Sequence, residues 1–301
     1  MIQTVTADSS QLNIADSFRA KGFYFPARAF SVKAALDLCS AYYRSRERAA
    51  VNPVLAATYG IFKPHLLTTW ADSIVHCPKI LDVAEQLIGP NLLAWSTDIF
   101  VRPPINRFCS AGLAGKPIPP SGLVAPSGLA WHQDATYLGL SPLNKIVRMW
   151  VALTETTPEN GTMRFLPESH LLGECTHKFA PDDDQARGER ICMDIDLDDV
   201  ANVELEPGEF SVHDVRTVHD SGENQTDRDR ICVSITYVAP EVTALGCSDT
   251  AMLVRGEDAC GNFALEPRPS FDFDPAAVAA YSRAMNIRLQ RLRMLCGSIE
   301  A

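Results

Sequence analysis

Two short stretches of this chain carry residue types that bind metals. His132 and Asp134 flank a glutamine in Trp131-His132-Gln133-Asp134, and His219 opens His219-Asp220-Ser221-Gly222-Glu223-Asn224 far downstream. In a strand over 130–137, side chains at i and i+2 project from one face. An imidazole and a carboxylate would then stand side by side, and a second imidazole from another strand would complete two histidines and one carboxylate. Such a set holds non-heme Fe(II) on one face and leaves the other open. His-x-Asp alone is a weak pattern, and the distal partner is open among His170, His177, His213 and His219. The order of elements from 203 to 237 favours His219: a strand, a tight Pro207-Gly208 turn, a second strand, the His219 stretch, then a long strand from Arg230. His213, on the preceding strand, is expected in the core or beside a ligand.

The strand from Arg230 sorts its side chains by alternation. Arg230, Cys232, Ser234 and Thr236 fall on one face, and Ile231, Val233, Ile235 and Tyr237 on the other. The apolar face suits a core. The small, polar face suits a cavity that holds a charged ligand, because arginine presents a planar fork matched to a carboxylate. Ser221, two residues after His219, shares that histidine's face and could add a hydroxyl. Arg148 shares a strand face with Trp150; it could enter the cavity and hold a polar or anionic substrate group, or lie outward on the rim.

Residues 13–24 are expected to form a short helix and the start of a strand, and helices are expected over 31–48 (Ser31 as cap), 80–88 (stopped by Gly89-Pro90) and 275–296. Strand signals fall at 92–102, 130–137, 146–153, 162–166, 203–205, 209–213, 216–220 and 230–238, separated by turn-rich stretches such as Glu159-Asn160-Gly161 and Pro181-Asp182-Asp183-Asp184. Many short strands punctuated by turns predict a mainly β fold, a sandwich or jelly roll, with helices at both ends of the chain. Residues 103–130 hold six prolines and four glycines, too many for a helix or a central strand. A long structureless loop running straight into His132 is expected to form a lid over the site.

The 301 residues are 46% hydrophobic and 21% charged, with a formal net charge of -10. This suits one globular domain over residues 1–301. An acidic chain is a poor nucleic-acid binder, and no window approaches the ~18 consecutive apolar residues of a membrane helix. No secretory signal is evident in Met1–Leu12, and the nine scattered cysteines lack a Cys-x-x-Cys pair. Reduced thiols in a cytoplasmic protein are therefore expected, without a zinc site built from cysteine.

Several motifs recur in order: Trp131-His132-Gln133-Asp134, Arg148-Met149-Trp150-Val151-Ala152-Leu153, Asn160-Gly161-Thr162-Met163, Leu166-Pro167-Glu168-Ser169-His170, Pro207-Gly208-Glu209, and the His219 stretch with Arg230 eleven positions on. Across roughly residues 15–265 the chain resembles the phytanoyl-CoA dioxygenase family of Fe(II)- and 2-oxoglutarate-dependent oxygenases. The resemblance implies a double-stranded β-helix (cupin-like jelly roll) core, with His132, Asp134 and His219 as iron ligands. It implies Arg230 and Ser221 at the far carboxylate of 2-oxoglutarate, Trp150 against that co-substrate, and His170 fixing a turn. The implied reaction consumes O2, releases succinate and carbon dioxide, and hydroxylates a small-molecule metabolite or natural-product intermediate. Family members that halogenate lack the carboxylate that Asp134 supplies. Desaturation, cyclisation and epimerisation start from the same site. The rivals are a non-catalytic β-sandwich binding module and a cupin-like metal protein that needs no 2-oxoglutarate.

Overall fold

A computed structural model describes residues 9–52, 55, 59, 62–106, 128–179, 189–246 and 248–297. Most of the expected lid (107–127) and the Pro181–Asp184 turn lie outside the described residues. Two antiparallel sheets form a jelly roll. The larger runs, in spatial order, Phe23–Arg28, Glu209–Asp214, Ile146–Ala152, Arg230–Val238, Leu92–Arg102, Asp249–Arg255 and Phe263–Leu265; only the last pair is parallel. The smaller runs Leu129–His132, His219–Ser221, Met163–Phe165 and Ala201–Asn202.

Alternation decides what each face of the larger sheet meets. Ile231, Val233, Ile235 and Tyr237 pack with Met149, Val151, Ile99 and Val212 against the helices Val32–Ala49, Thr69–Val75 and Pro78–Ile88. Ser31 caps the first of these, its hydroxyl accepting from the Ala34 amide at 3.2 Å. Tyr237 ties the second to the sheet by donating its hydroxyl to the Val75 carbonyl at 2.7 Å. The opposite face meets the smaller sheet, and Phe23, Phe100, Trp150 and Cys232 pack there with Met163 and Phe165. Residues paired across antiparallel strands share a face. The register therefore lines up Ser96, Thr236, Arg148 and His213 in one row, Asp98, Ser234, Trp150 and Ser211 in the next, and Arg102 beside Arg230 at the strand ends.

The expected strand over 130–137 is not one element. The strand stops at His132, Asp134 is helical in backbone (φ -62°, ψ -34°), and Ala135–Leu138 is a short helix. Backbone bonds divert the chain here: the Ala135 amide donates to the Val215 carbonyl at 2.9 Å instead of to a neighbouring strand. The strand expected over 216–220 is likewise confined to His219–Ser221, and 203–205 contributes only a bridge between Leu205 and Thr156. Asp249–Arg255, Phe263–Leu265 and the Thr69–Val75 helix carried no clear signal. Among the described residues, no helix is long and apolar enough to cross a membrane.

The C-terminal helix Pro275–Gly297 starts where Asp274 accepts from the Ala276 amide at 2.7 Å. Its buried Arg291 donates to the Asp249 carboxylate and to the carbonyls of Leu138 and Gly139, with its guanidinium 5.3 Å from the Trp95 ring centre. One side chain thus joins this helix, the Asp249 strand and the short helix after Asp134. Arg291→Met leaves a buried carboxylate without its cation, which costs about 3–5 kcal/mol. Urea denaturation should register that loss, and a change below about 1 kcal/mol would mean the helix is docked by apolar packing alone.

Candidate metal centre

The register of the smaller sheet sets His132 directly opposite His219, with Phe165 on the other side of His219. The two imidazole centres lie 4.2 Å apart. Each ring donates from Nδ1 to the carbonyl two residues earlier: His132 to Ala130 at 2.6 Å and His219 to Thr217 at 2.9 Å. Both Nε2 lone pairs are thereby left for a ligand. Asp134 enters from its turn, Oδ1 3.9 Å from the His132 Nε2 and Oδ2 3.9 Å from the His219 Nε2. Donor atoms of all three residues lie within 4.8 Å of one another, and all three are buried. Two neutral nitrogens and one carboxylate oxygen converging on one point suit a divalent metal of the iron type.

Asp134 is 1% exposed. Burial alone would raise its pKa, but Arg148, His219 and His213 outweigh it and hold the carboxyl well below its usual range. Arg148, the permanent cation among them, lies 3.2 Å from Oδ1. It also donates to Ser234 at 2.7 Å and to the Tyr137 hydroxyl at 3.3 Å. Arg148 thus points into the cavity, and its guanidinium is engaged with a candidate ligand. The His213 Nε2 lies 3.2 Å from the Asp134 Oδ2, so this histidine touches the carboxylate and stands outside the three-residue donor set. His170 hydrogen-bonds the Arg19 carbonyl at 3.0 Å from a turn. His177 accepts from the Gln133 amide at 3.1 Å.

His132, Asp134, His219, Arg148 and His213 border a cavity of about 290 Å³. Its walls also include Ser221, Phe100, Trp150, Phe62, Trp95 and Tyr137, together with Arg288 and Arg291. Arg230 is not among the lining residues; it lies 5.6 Å from the ring centre of Trp150, which is, and donates to the Gly161 carbonyl. Gly161 sits at φ 74°, and a Cβ there would strike the Gly222 carbonyl, so the acceptor's position depends on glycine. Arg230 is 1% exposed, and among the described residues no carboxylate is within ion-pair reach of it. Its cross-strand neighbour Arg102, also buried, donates to the Ser221 hydroxyl at 2.7 Å. Two guanidiniums side by side and out of water favour an anion beside them. Arg102 was missed in the sequence, yet a signal existed: Ser96, Asp98, Phe100 and Arg102 alternate like the face that begins at Arg230.

Burial lowers the His219 pKa from 6.5 to about 4. The unfolded chain therefore gains a proton between those values that the folded chain refuses. Metal-free protein should lose stability as the pH falls through that window, by roughly 3 kcal/mol from this residue. Urea denaturation across the window checks the slope, which should flatten in His219→Gln.

The family model described as phytanoyl-CoA dioxygenase (PhyH) matches residues 32–232. Among curated proteins, the chain is 27% identical over 202 residues to a "Probable alpha-ketoglutarate-dependent hypophosphite dioxygenase" of Stutzerimonas stutzeri, covering 62% of this chain and 59% of that protein. It is 33% identical over 102 residues to "Phytanoyl-CoA dioxygenase domain-containing protein 1" of Danio rerio, covering 33% of this chain and 28% of that one. The matches thus span between about a quarter and three-fifths of these relatives' lengths. Among solved structures, a "non-heme monooxygenase; ThoJ apo" superposes with a TM-score of 0.82 at 39% identity, over 94% of this chain and 99% of that one. CytC3 shares the fold, with a TM-score of 0.62 at 17% identity over 89% of this chain and 96% of the other. With the family model covering more than half of its length, the chain belongs to the phytanoyl-CoA dioxygenase family.

Proposed function

We propose that this protein is an Fe(II)- and 2-oxoglutarate-dependent oxygenase that hydroxylates a small organic molecule, with release of succinate and carbon dioxide. The observation that carries this is the buried convergence of His132, Asp134 and His219 within 4.8 Å. The relative from Stutzerimonas stutzeri, named as alpha-ketoglutarate-dependent, and the non-heme monooxygenase at 39% identity support it. His132, Asp134 and His219 would hold the iron. Loaded with 2-oxoglutarate and O2, that centre supplies an oxidant strong enough to remove hydrogen from carbon. The carboxylate of Asp134 favours hydroxylation over halogenation.

This chain's own residues supply position and charge. Arg230 and Ser221 would receive the far carboxylate of 2-oxoglutarate, with Arg102 behind Ser221 and Trp150 along its length. A desolvated guanidinium without a carboxylate among the described residues is the feature that fits an anionic co-substrate best. Arg148 holds Asp134 ionised and borders the cavity, where a polar group of the substrate would meet it. Phe62, Trp95 and Tyr137 line the remaining space together with Arg288 and Arg291, so it offers both aromatic surface and positive charge. A cavity of about 290 Å³ matches the low end of small-molecule sites. We take the enzyme to be cytoplasmic; Cys39, Cys77, Cys175, Cys192, Cys232 and Cys260 are free thiols, in keeping with a reducing compartment.

A metabolite panel with Fe(II) and 2-oxoglutarate, scored by substrate-stimulated succinate, tests the activity directly. Succinate formation that no compound stimulates and that needs neither iron nor O2 would overturn it. His219→Ala should lose iron binding and turnover together, and iron retained at full affinity would move the third ligand to His213, which already touches Asp134. Arg230→Ala removes a charged hydrogen bond worth about 1.5–3 kcal/mol, so KM for 2-oxoglutarate should rise about ten- to hundredfold. An unchanged KM would make the protein a metal enzyme with a different co-substrate.

A further inference from the structure

Gln133, the residue between two candidate ligands, is 0% exposed, and its side-chain amide is committed entirely to backbone. Its Nε2 donates to the Gly173 carbonyl at 2.8 Å and to the Arg216 carbonyl at 2.6 Å, while its Oε1 accepts from the Cys175 amide at 2.7 Å. Its own backbone N–H donates to the His177 Nε2 at 3.1 Å, and its carbonyl accepts from the Thr136 hydroxyl at 2.8 Å. One residue therefore fastens three segments: its own turn, the 173–177 stretch and the approach to His219.

That placement matters for both sources of ligands. The strand breaks at Gln133, and the break lets Asp134 turn back beside His132. Arg216 is adjacent to Thr217, whose carbonyl orients the His219 ring. The loop from 214 to 217 is further held by the Arg216–Asp214 pair, with bonds of 2.8 and 2.6 Å, and by the Ala135 amide on the Val215 carbonyl. Burying a glutamine costs the entropy of its several side-chain rotamers. A position that only filled volume would take an apolar side chain at lower cost.

We propose that Gln133 is a positioning residue that clamps the turn carrying His132 and Asp134 to the loop leading into His219, and so sets the affinity of the site for metal. This rests on the metal-site assignment made above. The residue acts through the ligands and touches neither co-substrate nor substrate, so its effect should fall on metal binding and spare 2-oxoglutarate.

Co(II) titration followed by visible absorption is the test, on wild type, Gln133→Met (similar length, no hydrogen bonds) and Gln133→Glu (acceptor kept, donors lost). In both variants the Co(II) dissociation constant should rise about 10–100-fold, with 2-oxoglutarate affinity at saturating Co(II) within about twofold of wild type. A folded variant with the wild-type Co(II) affinity overturns the clamp, and so does an equal loss of affinity for 2-oxoglutarate. Should neither variant fold, the wild type answers. Zn(II) should slow hydrogen exchange at the Cys175 and Ala135 amides, read by NMR, and exchange indifferent to Zn(II) overturns the clamp. Wild-type protein that binds no Co(II) would instead overturn the metal-site assignment itself.

Discussion

A carboxylate buried to 1% exposure is the constraint around which the centre of this protein is built. Taken out of water, Asp134 stays ionised only if cations and donors meet it, because an isolated buried charge is far too costly to keep. Arg148 approaches one oxygen and His213 the other, each at 3.2 Å, and the two opposed imidazoles stand 3.9 Å away. Those partners come from the Ile146–Ala152 and Glu209–Asp214 strands of the larger sheet and from both leading strands of the smaller one. The two sheets are thus joined at their centre by charge as well as by the Phe23–Phe165–Trp150 packing. A negative charge held so firmly is also a strong ligand for a cation.

The same register that meets this need separates two kinds of cation along the sheet. Arg148 sits in the row with Thr236 and Ser96 and is engaged with Asp134; Arg230 and Arg102 sit at the strand ends without a carboxylate at Arg230. Rows six residues apart along the Arg230–Val238 strand therefore offer a neutralised guanidinium beside the donor set and, at the strand ends, a buried guanidinium without a carboxylate among the described residues. The proposed placement of 2-oxoglutarate, with one end at the metal and the other at Arg230, would rely on the strand pairing that sets these two groups apart.

Much of this was legible in the chain. The alternation from Arg230 to Tyr237 separated the face turned toward the smaller sheet from the face that meets the helices, because successive side chains of a strand point to opposite sides. Ser31 as a cap, Gly89 as a stop and the extents of the long strands followed from equally local chemistry. The strand expected over 130–137 failed because what ends it is not local. The Gln133 amide and the Ala135 N–H find partners at residues 173–175 and 215–216, and no window of sequence shows such partners.

By itself the sequence determined the ingredients: the histidines and the carboxylate from which a ligand set can be drawn, which side chains of the Arg230 strand turn away from the helix-facing core, and that the fold is mostly short strands. Only the tertiary structure decided how they meet. It set His132 opposite His219, turned Arg148 inward onto Asp134, brought Arg102 beside Arg230, and kept His213 as a partner of Asp134. The physical reason is that side-chain types and alternation are properties of single segments. Strand register, the bonds that divert a chain, and the neutralisation of a buried charge are relations between segments far apart in sequence, and they exist only once those segments are packed together.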